Sequence, residues 1–154
     1  MVLKEIAFPF KLLNRRLKNN IMKGYGLTVR GIIKNDSGEI LIVKRHPKSK
    51  TDPEMWELPG GKVEKGEFFA DALVREIKEE TNLDVEIGDF CEAVQNDYSH
   101  KRTVQLMMYL INAEGEVKIS DEHTEFMWAS IEKIKTLEIS TSLKKVLEKK
   151  NWVL

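Results

Sequence analysis

The sequence predicts an α/β fold with a mixed β-sheet covered on both faces. Two patterns carry that expectation. Runs rich in β-branched and aromatic residues, bounded by turn chemistry, recur at 25–34, 40–43, 84–92, 103–112 and 125–129. Segments of helical period separate or follow them at 67–81, 131–137 and 141–149. A chain of 154 residues suits one domain with a real core. There is no internal repeat and no low-complexity segment.

Residues 1–22 precede the pattern and read as an N-terminal arm, which leaves 23–154 as the domain. Leu12, Leu13 and Leu17 with Arg15, Arg16 and Lys18 suggest a short amphipathic helix there. Its apolar stripe is short, so it suits packing on the domain or on a second subunit better than anchoring in a membrane. Segments 25–34 and 40–43 flank Asn35-Asp36-Ser37-Gly38 and read as a β-hairpin. Lys44-Arg45-His46-Pro47-Lys48 is a cationic loop that either reaches phosphates or stays solvated. Trp56 reads as packing. Leu58-Pro59-Gly60-Gly61 is a tight loop whose backbone approaches a ligand closely. His100-Lys101-Arg102 falls near the turn between strands 84–92 and 103–112, and 118–120 suggests a short edge strand. In the last helix Leu143, Val146 and Leu147 share one side.

Formal net charge is zero, unevenly spread. Residues 1–50 hold 12 Lys and Arg against 3 Asp and Glu, a balance of +9 that leaves −9 in the remainder. Such a division suits a site where cations meet carboxylates and a phosphorylated ligand, although sequence blocks also intermix over a folded surface. No sustained basic, aromatic-interleaved face argues for a long nucleic-acid partner. The single cysteine, Cys91, excludes an intrachain disulfide and reads as a buried thiol. No apolar run approaches membrane-spanning length, and the expected location is cytoplasmic.

The chemistry concentrates in 60–83. Glu76, Glu79 and Glu80 stand at i, i+3 and i+4, so they share one helical face. Like charges at that spacing repel. Many charged faces are simply solvated, but this one borders Ala72, Leu73 and Ile77, which dock the helix on a core. A divalent cation held by the glutamate oxygens would relieve the repulsion. Arg75, four residues before Glu79 and next to Glu76, is placed to orient a carboxylate by a charge-assisted bond.

This stretch resembles the Nudix box: Gly, five residues, Glu, seven residues, Arg-Glu, an aliphatic, any residue, Glu-Glu, any residue, Gly, an aliphatic. The matching positions are Gly61, Glu67, Arg75, Glu76, Ile77, Glu79, Glu80 and Leu83. Asn82 stands where the box has its late glycine, at the helix end that favours a left-handed residue. Asn is the next most tolerant residue there, so Asn82 is expected at positive φ. The resemblance covers about residues 24–150 and implies an α/β/α sandwich.

It also implies attack of water on a phosphorus of a pyrophosphate, with Mg²⁺ (or Mn²⁺) as cofactor. Carried over by position, Glu76, Glu79 and Glu80 match the metal-binding glutamates, and the Gly60 carbonyl matches a position that often completes the coordination. Arg75 matches the arginine that orients them. Glu67 matches an outer partner; charge on the first helical turn is its alternative role. Several relatives place a further glutamate in a loop before a Trp of the last strand. Glu122, ahead of Trp128, is the expected metal ligand or general base, with Glu125, His123 and His100 as competitors. Phe126, Tyr25 and residues near Ser140 and Thr141 are candidates for nucleobase contact.

A MutT-like enzyme acting on (d)NTPs or oxidised dNTPs is the first functional expectation. An ADP-ribose or NDP-sugar pyrophosphatase comes second, and a non-catalytic nucleotide sensor is the rival of another class. Sensors commonly lose box glutamates, which this chain keeps. A Nudix-fold isomerase would need an added cysteine and glutamate in motifs that are not found. The resemblance leaves a homodimer open.

Overall fold

The computed structural model describes residues 25–99 and 101–150. The proposed N-terminal arm and His100 lie outside them. The strands are β1 (Tyr25–Ile33), β2 (Ile40–Arg45), β3 (Trp56–Glu57), β4 (Asp84–Asp97), β5 (Arg102–Glu114) and β6 (His123–Ala129). The helices are α1 (Phe69–Thr81), α2 (Ile131–Ile134) and α3 (Thr141–Lys149). No helix among these residues is long and apolar enough to cross a membrane.

The expected mixed sheet is present, divided in two. One three-stranded sheet runs β1-β5-β4, with β1 parallel and β4 antiparallel to β5. The other runs β3-β2-β6 and is antiparallel throughout. Helices cover both sides, as the α/β/α expectation requires. Val29 and Ile33 of β1, Leu41 of β2 and Met108 and Leu110 of β5 pack with Ala72, Leu73 and Ile77 of α1. Alternate residues on the same strands point the other way. Ile32, Ile40, Ile42 and Met107 pack with Trp56, Cys91, Ile134 of α2 and Leu143 and Val146 of α3. Burial on both faces explains the near-continuous apolar run of β1. One charged residue breaks that run, Arg30, on the face turned away from α1.

The expected hairpin of β1 and β2 is corrected. The Asn35 turn forms, with Asn35 Oδ1 accepting from the Ser37 and Glu39 amides, but only the Lys34–Ile40 bridge joins the two strands. Both edges of β1 are already taken. β5 pairs along one. The glycine loop takes the other through Val29 N–H to Gly61 O and Gly31 N–H to Pro59 O, each 2.9 Å, and Val63 N–H to Leu27 O, 3.0 Å. The strand expected to pair with β2 therefore carries the loop that builds the site. Gly60 is required here: at φ 132 it lies against Val29 and Arg30, and a Cβ would overlap the Val29 carbonyl.

The β4–β5 hairpin forms as expected and is longer than its β-rich core suggested. The 118–120 edge strand does not form. That segment docks on the end of α1 instead, by Lys118 N–H to Thr81 O and Ser120 N–H to Glu80 O. Helix α1 ends at Asn82 with φ 64, the left-handed cap expected of the residue replacing glycine. The Asn82 amide donates to Lys78 O, and its side chain donates to Glu116 O.

Candidate active site

The outer side of the α1 acidic face is a closed set of ion pairs centred on Arg75. Its Nε and Nη2 donate to the two Glu67 oxygens at 2.9 and 3.1 Å. Nη1 donates to Glu76 at 3.0 Å and Glu79 at 3.2 Å, and Nη2 also donates to Lys62 O at 3.1 Å. One planar fork thus holds three carboxylates and a loop carbonyl. Arg75, then the Glu64 amide, hold the Glu67 carboxyl down at about 2. Arg75 itself is raised, chiefly by Glu67.

The inner side is buried and differently balanced. Glu80 is 5 % exposed, and its Oε2 accepts from the Gly60 amide at 2.7 Å. Desolvation dominates there and raises its carboxyl to about 7, against the pull of Arg30, His123 and that amide. Desolvation also raises Glu76, against Arg75. Gly61 makes room for Glu76, since a Cβ at Gly61 would overlap its carboxylate.

Deeper still lies a charged cluster that the sequence reading did not identify. Glu57 pairs with Arg30 at 3.2 Å and with Arg45 at 2.7 Å, and His123 Nε2 lies 3.6 Å away. Burial opposes ionisation of Glu57, yet Arg30, His123 and Arg45 prevail and hold it below the usual range. Arg30 also donates from Nη1 to the Leu58 carbonyl at 3.2 Å and to the Gly60 carbonyl. Burial weakens its charge, but Glu57, Glu80 and Glu76 together raise it. A lone Arg inside a doubly buried strand was the available signal: such a charge is rarely left unpaired.

These groups open onto one cavity of about 260 Å³. Gly60, Glu76, Glu80 and Glu122 all line it, so four of the five expected metal positions are brought together. Glu79 is not among its lining residues; its side chain is 59 % exposed and held by Arg75. Arg75 stands behind the cavity wall. Glu122 is exposed at the mouth, and its carbonyl accepts from the His46 amide at 3.0 Å. His123 is buried in the cavity wall. Glu125 pairs with Lys44 at 2.7 Å outside the cavity. Of the nucleobase candidates, Phe126 lines a separate groove and Tyr25 is exposed. Ser140 caps α3, and Thr141 bonds Asp52. The lining also carries the cations Arg45, Lys62 and Lys101, of which Arg45 is paired with Glu57. Desolvation, then Lys62, Arg45 and Lys50, lower the Lys101 amine.

The donor chemistry fits a hard divalent cation. Glu76, Glu80 and the Gly60 carbonyl put oxygens on one cavity wall. Glu80 carries a buried carboxylate whose desolvation its neighbours Arg30 and His123 do not overcome. Among the described residues no group of three or more Asp, Glu, His or Cys side chains is arranged to hold a metal ion, so the donors here are two glutamates and a carbonyl.

Comparison with known proteins places this geometry in a family. The NUDIX domain model matches residues 24–150. The chain is 32 % identical over 104 residues to the CTP pyrophosphohydrolase of Escherichia coli K12, covering 68 % of this chain and 75 % of that protein. It is 31 % identical over 130 residues to the nucleoside triphosphatase NudI of Escherichia coli O139:H28, covering 77 % and 92 %. The crystal structure of a MutT protein from Methanosarcina mazei Go1 superposes with a TM-score of 0.78 at 30 % identity, covering 84 % of this chain and 95 % of that one. With Arg75, Glu76, Glu79 and Glu80 of the box on one helix and its glycine loop lining the cavity, the chain belongs to the Nudix family and is a Nudix hydrolase.

Proposed function

We propose that the protein hydrolyses a (deoxy)nucleoside triphosphate, standard or oxidised, to the monophosphate and pyrophosphate, with Mg²⁺ as cofactor and Mn²⁺ as a substitute. The observation that carries this reading is one cavity lined by both carboxylates and cations. Glu76 and Glu80 suit a divalent cation, and Arg45, Lys62 and Lys101 line the same cavity. Desolvation first, then the neighbouring Lys62, Arg45 and Lys50, lower the Lys101 amine, so these cations act on one another. A triphosphate brings negative charge beyond what the cation neutralises, and these basic side chains suit that excess. The relatives named for CTP and nucleoside triphosphates agree with this class.

Mg²⁺ would neutralise phosphate charge and acidify a water for attack on phosphorus. Glu80 and Glu76 would hold it, with the Gly60 carbonyl and with Glu79 as the outermost carboxylate. Arg75 fixes Glu76 and Glu79 through one fork, and Glu67 fixes Arg75. Burial excludes bulk water from Glu80, and the Gly60 amide orients it. Glu122, exposed at the mouth, is proposed to take the proton from the attacking water, with His123 next to it. Arg45, Lys62 and Lys101 bind the phosphates.

A substrate panel with Mg²⁺ and product identification tests this: (d)NTPs, oxidised dNTPs, ADP-ribose, NADH and dinucleoside polyphosphates. Monophosphate plus pyrophosphate from a triphosphate is the expected result. AMP plus ribose phosphate from ADP-ribose alone would replace it with the NDP-sugar reading. Tight nucleotide binding without turnover of any compound would make the chain a sensor.

A further inference from the structure

Arg30 is the group the proposed chemistry has not absorbed. It is 8 % exposed, in the middle of a strand buried on both faces. Three sets of partners converge on it: the Glu57 carboxylate at 3.2 Å, the Leu58 carbonyl at 3.2 Å and the Gly60 carbonyl. Glu80 and Glu76 act on it through space. Two of these groups are the carboxylates assigned to the cation, and the third is the carbonyl assigned to it.

We infer that Arg30 is a built-in surrogate cation: it binds the Gly60 carbonyl and screens Glu80 and Glu76 in the metal-free protein, and a divalent cation must compete with it. The inference rests on the metal site proposed above. The geometry gives it two consequences that oppose each other. Without metal, Arg30 stabilises the fold, because its removal leaves Glu57 with fewer partners and Glu80 without its main neighbouring cation. With metal, the same positive charge repels the incoming ion across a low-dielectric site and holds one of its ligands. Arg30 is thus a positioning residue that lets the site stay folded while empty and sets how tightly it takes a cation. The glycine loop makes this possible, since it lies directly on β1 through the Val29 and Gly31 amides and brings the Gly60 carbonyl within reach of Arg30.

Two readouts without turnover test it, each followed from about pH 7 to 9 and compared on the high-pH plateau, where the Glu80 carboxyl is deprotonated in every variant: Mn²⁺ affinity, from the electron paramagnetic resonance signal of free Mn²⁺, and the melting temperature with and without Mn²⁺. Arg30→Met keeps the length of the stem and removes the charge. Its metal-free melting temperature is expected to fall while its Mn²⁺ affinity rises by about tenfold or more, so that added Mn²⁺ stabilises it by more degrees than wild type. Arg30→Lys retains the charge and is expected to stay within about threefold of wild-type affinity. A purely structural role would lower stability in both states equally and leave Mn²⁺ affinity unchanged or weaker; either result overturns the inference. If Arg30→Met does not fold, the comparison moves to Glu57→Gln against Arg30→Met/Glu57→Gln, where the uncompensated Glu57 charge is gone. The double variant is again expected to bind Mn²⁺ more tightly. Wild-type protein that binds no Mn²⁺ would overturn the metal reading together with this inference; wild type that binds it, with no gain in Arg30→Met, overturns this inference alone.

Discussion

Glu79 and Glu80 are adjacent in sequence and opposite in environment. Glu79 is mostly exposed and shares the Arg75 fork with Glu67 and Glu76. Glu80 is buried, keeps one backbone amide as its close partner, and has its carboxyl raised to about 7. The outer half of the acidic face is already tied down by hydrogen bonds from Arg75. The inner half is held in a state that an added cation would relieve. Like charges along a helix therefore divide into a scaffold and a site, and burial decides which is which.

The largest test of that division is activity. Glu80→Gln should lower kcat by roughly a thousandfold while the protein remains folded, and Glu79→Gln should cost about tenfold or less. Equal losses in both variants, measured under saturating Mg²⁺, would erase the distinction. Arg75→Gln should fall between them, at about 10–100-fold, because it loosens Glu76 without removing a ligand.

Stability against pH is the next effect, and the two halves should respond with opposite sign. In the metal-free protein Glu80 has its carboxyl raised from 4.5 to about 7. The folded state then holds a proton that the unfolded state releases. This contribution is fully present below pH 4.5 and is lost as pH rises through about 7, with a slope of at most roughly 1.4 kcal/mol per pH unit. Glu67 is held down at about 2, so its contribution is present above 4.5 and lost as pH falls toward 2. Melting curves from pH 4 to 8 should show the first decline in wild type and its absence in Glu80→Gln. Mg²⁺ binding should strengthen over the window in which metal-free stability falls, since the ion requires the deprotonated carboxylate.

The smallest effect concerns the cap at the far end of the same helix. Asn82→Gly relieves a side chain at φ 64 and loses the bond to Glu116 O, so its melting temperature should stay near wild type. Asn82→Ala keeps the strained φ without the bond and should lose about 1 kcal/mol. Activity should be unchanged in both, which would separate the cap from the site.

Much of this was legible in local pattern. The i, i+3, i+4 carboxylates, Arg75 and the left-handed Asn82 all belong to one helix and its end, where spacing alone fixes neighbours. The β4–β5 hairpin was legible for the same reason. The β1–β2 hairpin was misread because pairing is competitive: both strands had suitable sequence, but the glycine loop and β5 occupy the edges of β1. The Glu57 cluster was not legible because its members come from β1, β2, β3 and β6, which only the tertiary fold brings together. Arg30 in its apolar run announced a buried partner without saying which.

The most direct test of the account is Mn²⁺ binding by wild type and Glu80→Gln at pH 8, with the fold of each verified by circular dichroism. Wild type should bind Mn²⁺, and Glu80→Gln, folded and at least as heat-stable without metal, should bind it at least about a hundredfold more weakly. Equal Mn²⁺ affinity in the two folded proteins would contradict the assignment of the buried carboxylate as the centre of the site.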